Sequence, residues 1–460
     1  MNEYRLNFLR MRKIGEKYLV TTDHGGWIYL GEEELNKLKS KDLDKSLYAR
    51  CEEKGIIITE NNKSYIIKKI REKYAFLSAG TSLHIIVATL RCNLHCIYCH
   101  ASSCPQSCKG YDMDKATAKK TVDFIFQSPA RNITIEIQGG EPLLNYDIIK
   151  YIVNYSKELN KIHNKNMRLT VVTNFGLMDE EKLDFFEKEN VDICTSLDGP
   201  EELHEKNRNL RSYGPAVKWL GEIGKREKNG ILHKNAILTV TRESLKYPIE
   251  IVDEYVKNGL QDIHLRFLNN LGNAKQDWQN ICYSSKEFMD YWKKSSEYII
   301  KINKSGTFLR ERGATIILNK IFGREPNYLE LRSPCGAAIG QLLYNYDGAI
   351  YTCDEARMIG EDIFKLGNVH GDNYSKIISS DQTCGIVAAS VNDTQICDSC
   401  AYKPYCGVCP VCNYAEQRSI IAKIPETMRC QIYKAQFDYI FDKVLNDPIA
   451  KEVFLTWIQN

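Results

Sequence analysis

The sequence predicts an α/β protein built on an incomplete barrel of six parallel β/α units, with a small N-terminal unit before it and a cysteine-rich region after it. Three observations lead there. Short β-branched runs alternate with amphipathic stretches between residues 79 and 300. Each of the first four runs ends in polar or glycine-rich residues. The 17 cysteines fall largely into two groups, one after the first run and one beyond residue 334.

The chain of 460 residues calls for two or three domains, and 43% hydrophobic with 26% charged residues is an ordinary globular balance. A net charge of +3 gives no footprint for nucleic acid. No apolar run approaches the roughly 20 residues of a membrane span. The start Met1-Asn2-Glu3-Tyr4-Arg5 lacks the apolar core of a signal peptide, so a cytoplasmic location is expected. Clustered thiols in a large chain of this kind point to metal sites in a reducing compartment and not to a disulfide scaffold.

Residues 1–78 read as one unit. Lys17–Thr22 and Trp27–Leu30 flank the turn Asp23-His24-Gly25-Gly26, a hairpin signal. Glu32-Glu33-Glu34 places acids in the first turn of a helix, where the helix dipole favours them. A second helix is expected through Leu47–Glu52 and a strand at Ile56–Thr59. In element order the unit resembles the winged-helix-like leader-recognition domains of enzymes that modify ribosomal peptides, which bind by adding a strand to a sheet edge. A structural cap on the next domain is the other reading.

The barrel strands are expected at Leu83–Thr89, Asn132–Gly139, Arg168–Asn174, Asp192–Gly199, Asn235–Val240 and Asp262–Leu268. Helices are expected at Asp114–Gln127, Asp147–Leu159, Asp179–Glu187 and Pro215–Lys228. In such folds the chemistry sits at the carboxyl ends of the strands. There the sequence places Cys92-x3-Cys96-x2-Cys99, Gly139-Gly140-Glu141, Thr173-Asn174 and Ser196-Leu197-Asp198. Three thiols this close are soft ligands suited to iron–sulfur or zinc, and three thiolates on a four-iron cubane leave one iron open.

The cysteine loop after the first strand, with Gly139-Gly140-Glu141-Pro142 after the second, resembles radical S-adenosylmethionine (SAM) enzymes over roughly residues 80–270. The resemblance implies that Cys92, Cys96 and Cys99 hold a [4Fe-4S] cluster. It also implies that SAM chelates the open iron, and that its reductive cleavage gives methionine and a 5′-deoxyadenosyl radical. Tyr98 would pack near the adenine, and Gly139, Gly140 and Glu141 would meet the methionine ammonium. Thr173, Asn174, Ser196 and Asp198 are candidates for the ribose or carboxylate, with Arg208 a partner for the carboxylate. Capping or turn formation is the plainer account of the polar strand-end residues.

Residues 301–334 read as a helical connector, 335–435 as the cysteine-rich domain and 436–460 as a final helix. Cys335-x12-Gly348-x4-Cys353, then Cys397-x2-Cys400-x5-Cys406-x2-Cys409-x2-Cys412 and Cys430, resembles the SPASM extension with its two auxiliary [4Fe-4S] clusters. By that resemblance Cys397, Cys400, Cys406 and Cys430 hold the distal cluster. Cys335 and Cys353 hold the nearer one, completed by Cys409, Cys412 or both, because Pro410 departs from the usual spacing. A zinc ribbon shares the paired Cys-x2-Cys steps. Asp354, directly after Cys353, stands where sulfatase-maturing relatives keep a base; a solvated turn residue is the alternative. Cys104 and Cys108 receive no role.

Stretches from Gly80–His84 through Phe126–Pro129, Gln138–Leu144 and Leu203-His204 to Tyr344–Gly348 resemble the maturases of His-Xaa-Ser-type ribosomal peptide systems. The function so implied is hydrogen abstraction at Cα or Cβ of a ribosomally made precursor, captured through its leader, to form a thioether or another cross-link. The electron donor would be a flavodoxin or ferredoxin. An anaerobic sulfatase maturase is the near rival, and a non-catalytic zinc-binding protein the distant one.

Overall fold

The computed structural model describes residues 3–227, 232–393 and 396–459; Lys228, the expected end of the fourth helix, lies outside them. Its centre is a nine-stranded sheet. Six strands run in chain order and in parallel: β1 (Leu83–Thr89), β2 (Asn132–Gly139), β3 (Asn166–Val172), β4 (Val191–Ser196), β5 (Ala236–Thr239) and β6 (Leu265–Arg266). β1 is buried along nearly its whole length, as a strand covered on both faces must be. β2 alternates instead. Ile133, Ile135 and Ile137 are buried against the helices, while Thr134, Glu136 and Gln138 face the other way and stay partly accessible.

The helices between the strands start where the sequence supplies an acceptor. Asp114 Oδ1 accepts from Thr117 N at 2.7 Å ahead of helix Lys115–Ile125, and Asp179 Oδ1 from Lys182 N at 2.9 Å ahead of Glu180–Lys188. Tyr146–His163 and Tyr213–Arg226 cover the same outer face. β3, β4 and β5 stop one to three residues before their expected ends, because the chain leaves the ladder there to bend into the site. The expected strand Asp262–Leu268 is split: Asp262–Ile263 pairs in parallel with Arg310–Glu311, so parallel pairing continues past residue 300.

Beyond β1 the sheet gains β7 (Gln341–Tyr344), β8 (Ala349–Tyr351) and β9 (Lys365–Asn368). β7 runs parallel to β1, and β8 and β9 are antiparallel additions. The motif Asn345–Gly348 is the β7–β8 turn, closed by Gly348 N to Asn345 O at 2.9 Å with Gly348 at φ +80°. The cysteine-rich region is therefore continuous with the barrel sheet. At the C-terminus the single expected helix is two, Met428–Asn446 and Pro448–Trp457. Asp447 caps the second, and Pro448, lacking an N–H, suits its first turn.

The N-terminal unit holds more than the expected hairpin. A strand Arg10–Ile14 adds to Lys17–Thr21 and Trp27–Leu30 to make a three-stranded antiparallel sheet. Arg5–Leu6 pairs with Ile57–Ile58, and a third helix, Lys63–Tyr74, leads to the barrel. The unit docks on the cysteine-rich region and the last helices. Tyr29 donates to Phe441 O at 2.6 Å, Thr21 to Ala401 O at 2.8 Å and Trp27 Nε1 to Ile321 O at 3.1 Å, and Arg12 pairs with Asp438. No helix among the described residues is long and apolar enough to cross a membrane.

Candidate functional site

The loop Cys92–Cys99 leaves β1 and is bound back to the strand ends by its own backbone. Ile97 N donates to Asn207 O at 2.9 Å and His95 N to Asn209 Oδ1 at 2.6 Å. On the far side, Asn273 N donates to Cys99 O at 2.8 Å and Arg357 Nη2 to Ala101 O at 2.9 Å. The thiols of Cys92, Cys96 and Cys99 are free and only partly covered. Burial, then the charge of Glu141 and of the Cys96 and Cys99 thiols, pushes the Cys92 thiol up to about 12, with Leu94 N opposing. Asn174 Nδ2 stands 3.9 Å from Cys92 Sγ, and Arg208 Nη1 stands 3.9 Å from Cys96 Sγ.

Glycine is required after β2 because the chain touches the loop there. A Cβ at Gly139 would lie 2.1 Å from Thr89 O, and one at Gly140 would lie 2.4 Å from Arg91 O. The close approach lets Gly140 N donate to Thr89 O and Glu141 N to Arg91 O, both at 2.8 Å. Glu141 is bonded within the protein. Its side chain is fully buried and accepts from Thr173 Oγ1 at 2.6 Å, Asn174 N at 2.8 Å and Leu143 N at 3.0 Å. Both carboxylate oxygens thus join the ends of β2 and β3, which fixes Asn174 beside Cys92. The expected contact of this carboxylate with a ligand ammonium would have to compete with those bonds.

A second buried knot joins the loop to β4. Tyr98 donates to Asp198 Oδ1 at 2.8 Å and Oδ2 at 2.7 Å, and Arg208 Nε donates to Asp198 Oδ2 at 3.1 Å. Asp198 is completely inaccessible, Arg208 is 8% exposed, and the guanidinium lies 5.4 Å over the Tyr98 ring. Asp198 and Arg208, each expected at a ligand, are paired with one another, and Tyr98 is tied to them. Ser196, at the end of β4, is buried. Asn207 and Asn209, which hold the loop through a backbone carbonyl and a side-chain oxygen, were not singled out in the sequence, where neither carries a pattern of its own.

The later cysteines form two groups. Cys335, Cys412 and Cys353 are electrostatic neighbours of the Cys409 sulfur. Pro410 explains the spacing: it occupies the first turn of helix Pro410–Gln417, Cys409 is the N-cap, and Cys412 N donates to Cys409 Sγ at 3.4 Å. Cys409 therefore stands beside Cys335, and Cys412 beside Cys409 and Asn269. In the second group, Cys397, Cys400 and Cys430 each act on the charge of Cys406. A cavity of about 60 Å³ is lined by these four. Among the described residues, no three His, Cys, Asp or Glu side chains stand in single-ion coordination geometry. The donor chemistry of each group, soft and free thiols drawn from several elements, fits iron–sulfur clusters. Cys104 and Cys108 are neighbours, and Cys104–Pro105 pairs with Arg91–Cys92.

Asp354 opens helix Asp354–Ile359 and lies beside Gln138 of β2. Its Oδ1 is buried without a partner, and burial pushes the carboxyl up to about 6 against the pull of Arg357. Glu136 faces the same way as Gln138. Burial first, then the Asp354 charge, pushes it up to about 7. An acid at an inward position of an alternating strand was its signal in the sequence. A folded-state pKa raised above the usual 4.5 means that the native state binds this proton more tightly, so stability falls as pH rises from about 4.5 through 7. Glu136→Gln is expected to flatten the decline of Tm across that window; equal slopes in the two proteins would contradict the assignment.

Comparison with known proteins agrees with this geometry. Residues 86–255 match the family model of the radical SAM superfamily. The chain contains a radical SAM domain. The cysteine-type anaerobic sulfatase-maturating enzyme of Clostridium novyi is 25% identical over 371 residues, 79% of this chain and 96% of that protein. The structure of native anSMEcpe with bound AdoMet superposes with a TM-score of 0.67 at 19% identity, over 81% of this chain and 100% of the other. Streptococcus suis SuiB, solved bound to precursor peptide SuiA, gives a TM-score of 0.55 at 15% identity over 91% of this chain and 98% of the other. The fold is the radical SAM fold, and over most of its length the chain is similar to sulfatase-maturating enzymes.

Proposed function

We propose that this enzyme is a peptide maturase that forms an intrapeptide cross-link, a thioether to cysteine or a carbon–carbon or carbon–oxygen bond, in a ribosomally made precursor. The observation that carries this reading is the N-terminal sheet. Its strand Arg10–Ile14 pairs only with Lys17–Thr21 among the described residues, which leaves one edge open, with Met11 40% exposed. The opposite edge is covered by Arg50, which donates to Tyr29 O at 3.1 Å. An extended leader would add to the open edge as a further strand. The SuiB structure with its precursor peptide, which covers a larger share of this chain than anSMEcpe does, supports the same reading.

In this proposal Cys92, Cys96 and Cys99 hold the cluster that binds SAM. Cys335, Cys353, Cys409 and Cys412 hold the nearer auxiliary cluster, and Cys397, Cys400, Cys406 and Cys430 the distal one. When bound, cluster and SAM supply a 5′-deoxyadenosyl radical that takes a hydrogen atom from the substrate. The chain's own part is placement and proton handling. The Glu141 and Asp198 knots hold the loop against the strand ends. Asp354, in the lumen beside Gln138, takes the substrate proton. Leader capture is tested with Met11→Pro, which removes a backbone donor and bends the edge strand. Precursor binding is expected to weaken at least about tenfold, while uncoupled SAM cleavage is retained; unchanged affinity would remove the leader-binding role.

The second reading is a sulfatase maturase that oxidises Cys or Ser to formylglycine. The C. novyi relative and the position of Asp354 directly after Cys353 favour it. Turnover of a short sulfatase peptide to an aldehyde-bearing product would establish it.

A further inference from the structure

Arg332 is 8% exposed, and its Nε and Nη2 are buried without a hydrogen-bond partner. Its guanidinium lies 4.0 Å from the centre of the Phe76 ring on one side. On the other, the glycine backbone closes in so tightly that a Cβ at Gly340 would stand 2.0 Å from Nη2. Among the described residues its favourable electrostatic neighbour is the Cys335 sulfur. A guanidinium walled in this way is costly unless an anion faces it. The anion is not a carboxylate: the ion pairs of the neighbourhood join Glu330 to Arg429 and Glu355 to Arg266. Arg332, Cys335, Cys353, Cys409 and Arg429 instead line one cavity of about 200 Å³.

Arg429 has an unpartnered buried Nε of its own and stacks 4.9 Å over Tyr433. It borders both thiol groups, lining the 200 Å³ cavity and the 60 Å³ cavity, and its charge acts on Cys409, Cys412 and Cys406 alike.

We propose that Arg332 is the buried counter-charge of the nearer auxiliary cluster, that Arg429 is shared by both auxiliary clusters, and that the two arginines set the clusters' reduction potentials. The inference rests on the reading that the two thiol groups hold iron–sulfur clusters. Thiolates around a four-iron core leave net negative charge, and one-electron reduction adds to it. A fixed cation therefore stabilises the reduced form more than the oxidised one, and removing it makes reduction harder.

The test uses the full chain with Cys92, Cys96 and Cys99 replaced by alanine, so that only the later thiol groups carry iron. The two midpoints are followed by electron paramagnetic resonance during a redox titration. Arg332→Leu is expected to lower one midpoint by about tenfold in the reduced-to-oxidised ratio, about 59 mV for one electron, and to leave the other in place. Arg332→Lys restores most of that shift because it restores the charge, and Arg429→Leu lowers both midpoints. Arg332→Gln, neutral but polar, carries the same expectation if the leucine variant does not load iron. Unmoved midpoints at full iron content overturn the inference alone. A parent protein with no iron in these groups overturns the cluster reading, and the inference with it.

Discussion

Replacing Cys92, Cys96 and Cys99 together by alanine is expected to abolish the release of 5′-deoxyadenosine from SAM, a loss of at least about 10³-fold, while leaving the chain folded. The reason is in the attachments of the loop. Its position depends on backbone bonds from Ile97 and His95 and on the Tyr98–Asp198–Arg208 knot, none of which uses a thiol. Removing the sulfurs therefore removes ligands without removing the scaffold. Iron content is expected to fall by about four per chain, the number in one such cluster, with the rest retained by the later cysteines. The check is anaerobic reconstitution, iron and sulfide analysis, and chromatographic detection of 5′-deoxyadenosine. Product formation by the triple variant would contradict the site assignment.

Asp198→Ala is expected to be the most destabilising single change near the site. It leaves the Arg208 guanidinium buried without its carboxylate and takes the acceptor from the Tyr98 hydroxyl. Breaking one side of a buried ion pair costs about 3–5 kcal/mol, a large part of the stability of an ordinary domain. Asp198→Asn keeps the shape and an acceptor for Tyr98 but not the charge opposite Arg208, so its cost should be smaller. Denaturant unfolding of the three proteins reads the order directly. Asp198→Ala unfolding at the wild-type midpoint would show that the knot contributes nothing.

The central strands were legible because their patterns are local. β1 and β2 stand where their β-branched runs end, and the cysteine loop follows at once. The two groups of later cysteines could be read from spacing. The partner of Cys335 could not, because it depends on Pro410 starting a helix that makes Cys409 its N-cap. Other features are long-range and left no mark in the sequence. β7 pairs with β1 across more than 250 positions, as in Gln341 with Leu83, and only the fold brings Asp354 to Gln138. The strand Arg10–Ile14 was missed because Arg10-Met11-Arg12-Lys13 reads as a solvated charge run. In the structure Arg10 reaches Asp398 of the cysteine-rich region and Arg12 reaches Asp438 of helix Met428–Asn446.

The Glu141 and Asp198 contacts also change how the strand ends are understood. Residues expected to touch SAM side by side are sorted into two kinds. Glu141, Asp198 and Tyr98 are bonded within the protein and fix the frame, while Asn174 and Arg208 are bonded to it as well and also stand beside the thiols. That separation follows from burial: a carboxylate with no access to water must be satisfied internally before a ligand arrives.

The most direct test of the central claim is mass spectrometry of a candidate precursor peptide, taken from a short reading frame beside the gene and co-expressed anaerobically with this enzyme. The proposal predicts a loss of two hydrogens per modification, with fragment ions missing between the joined residues and no reactivity toward hydrazides. A peptide recovered at its unmodified mass, or one that carries a hydrazide-reactive aldehyde, would contradict it.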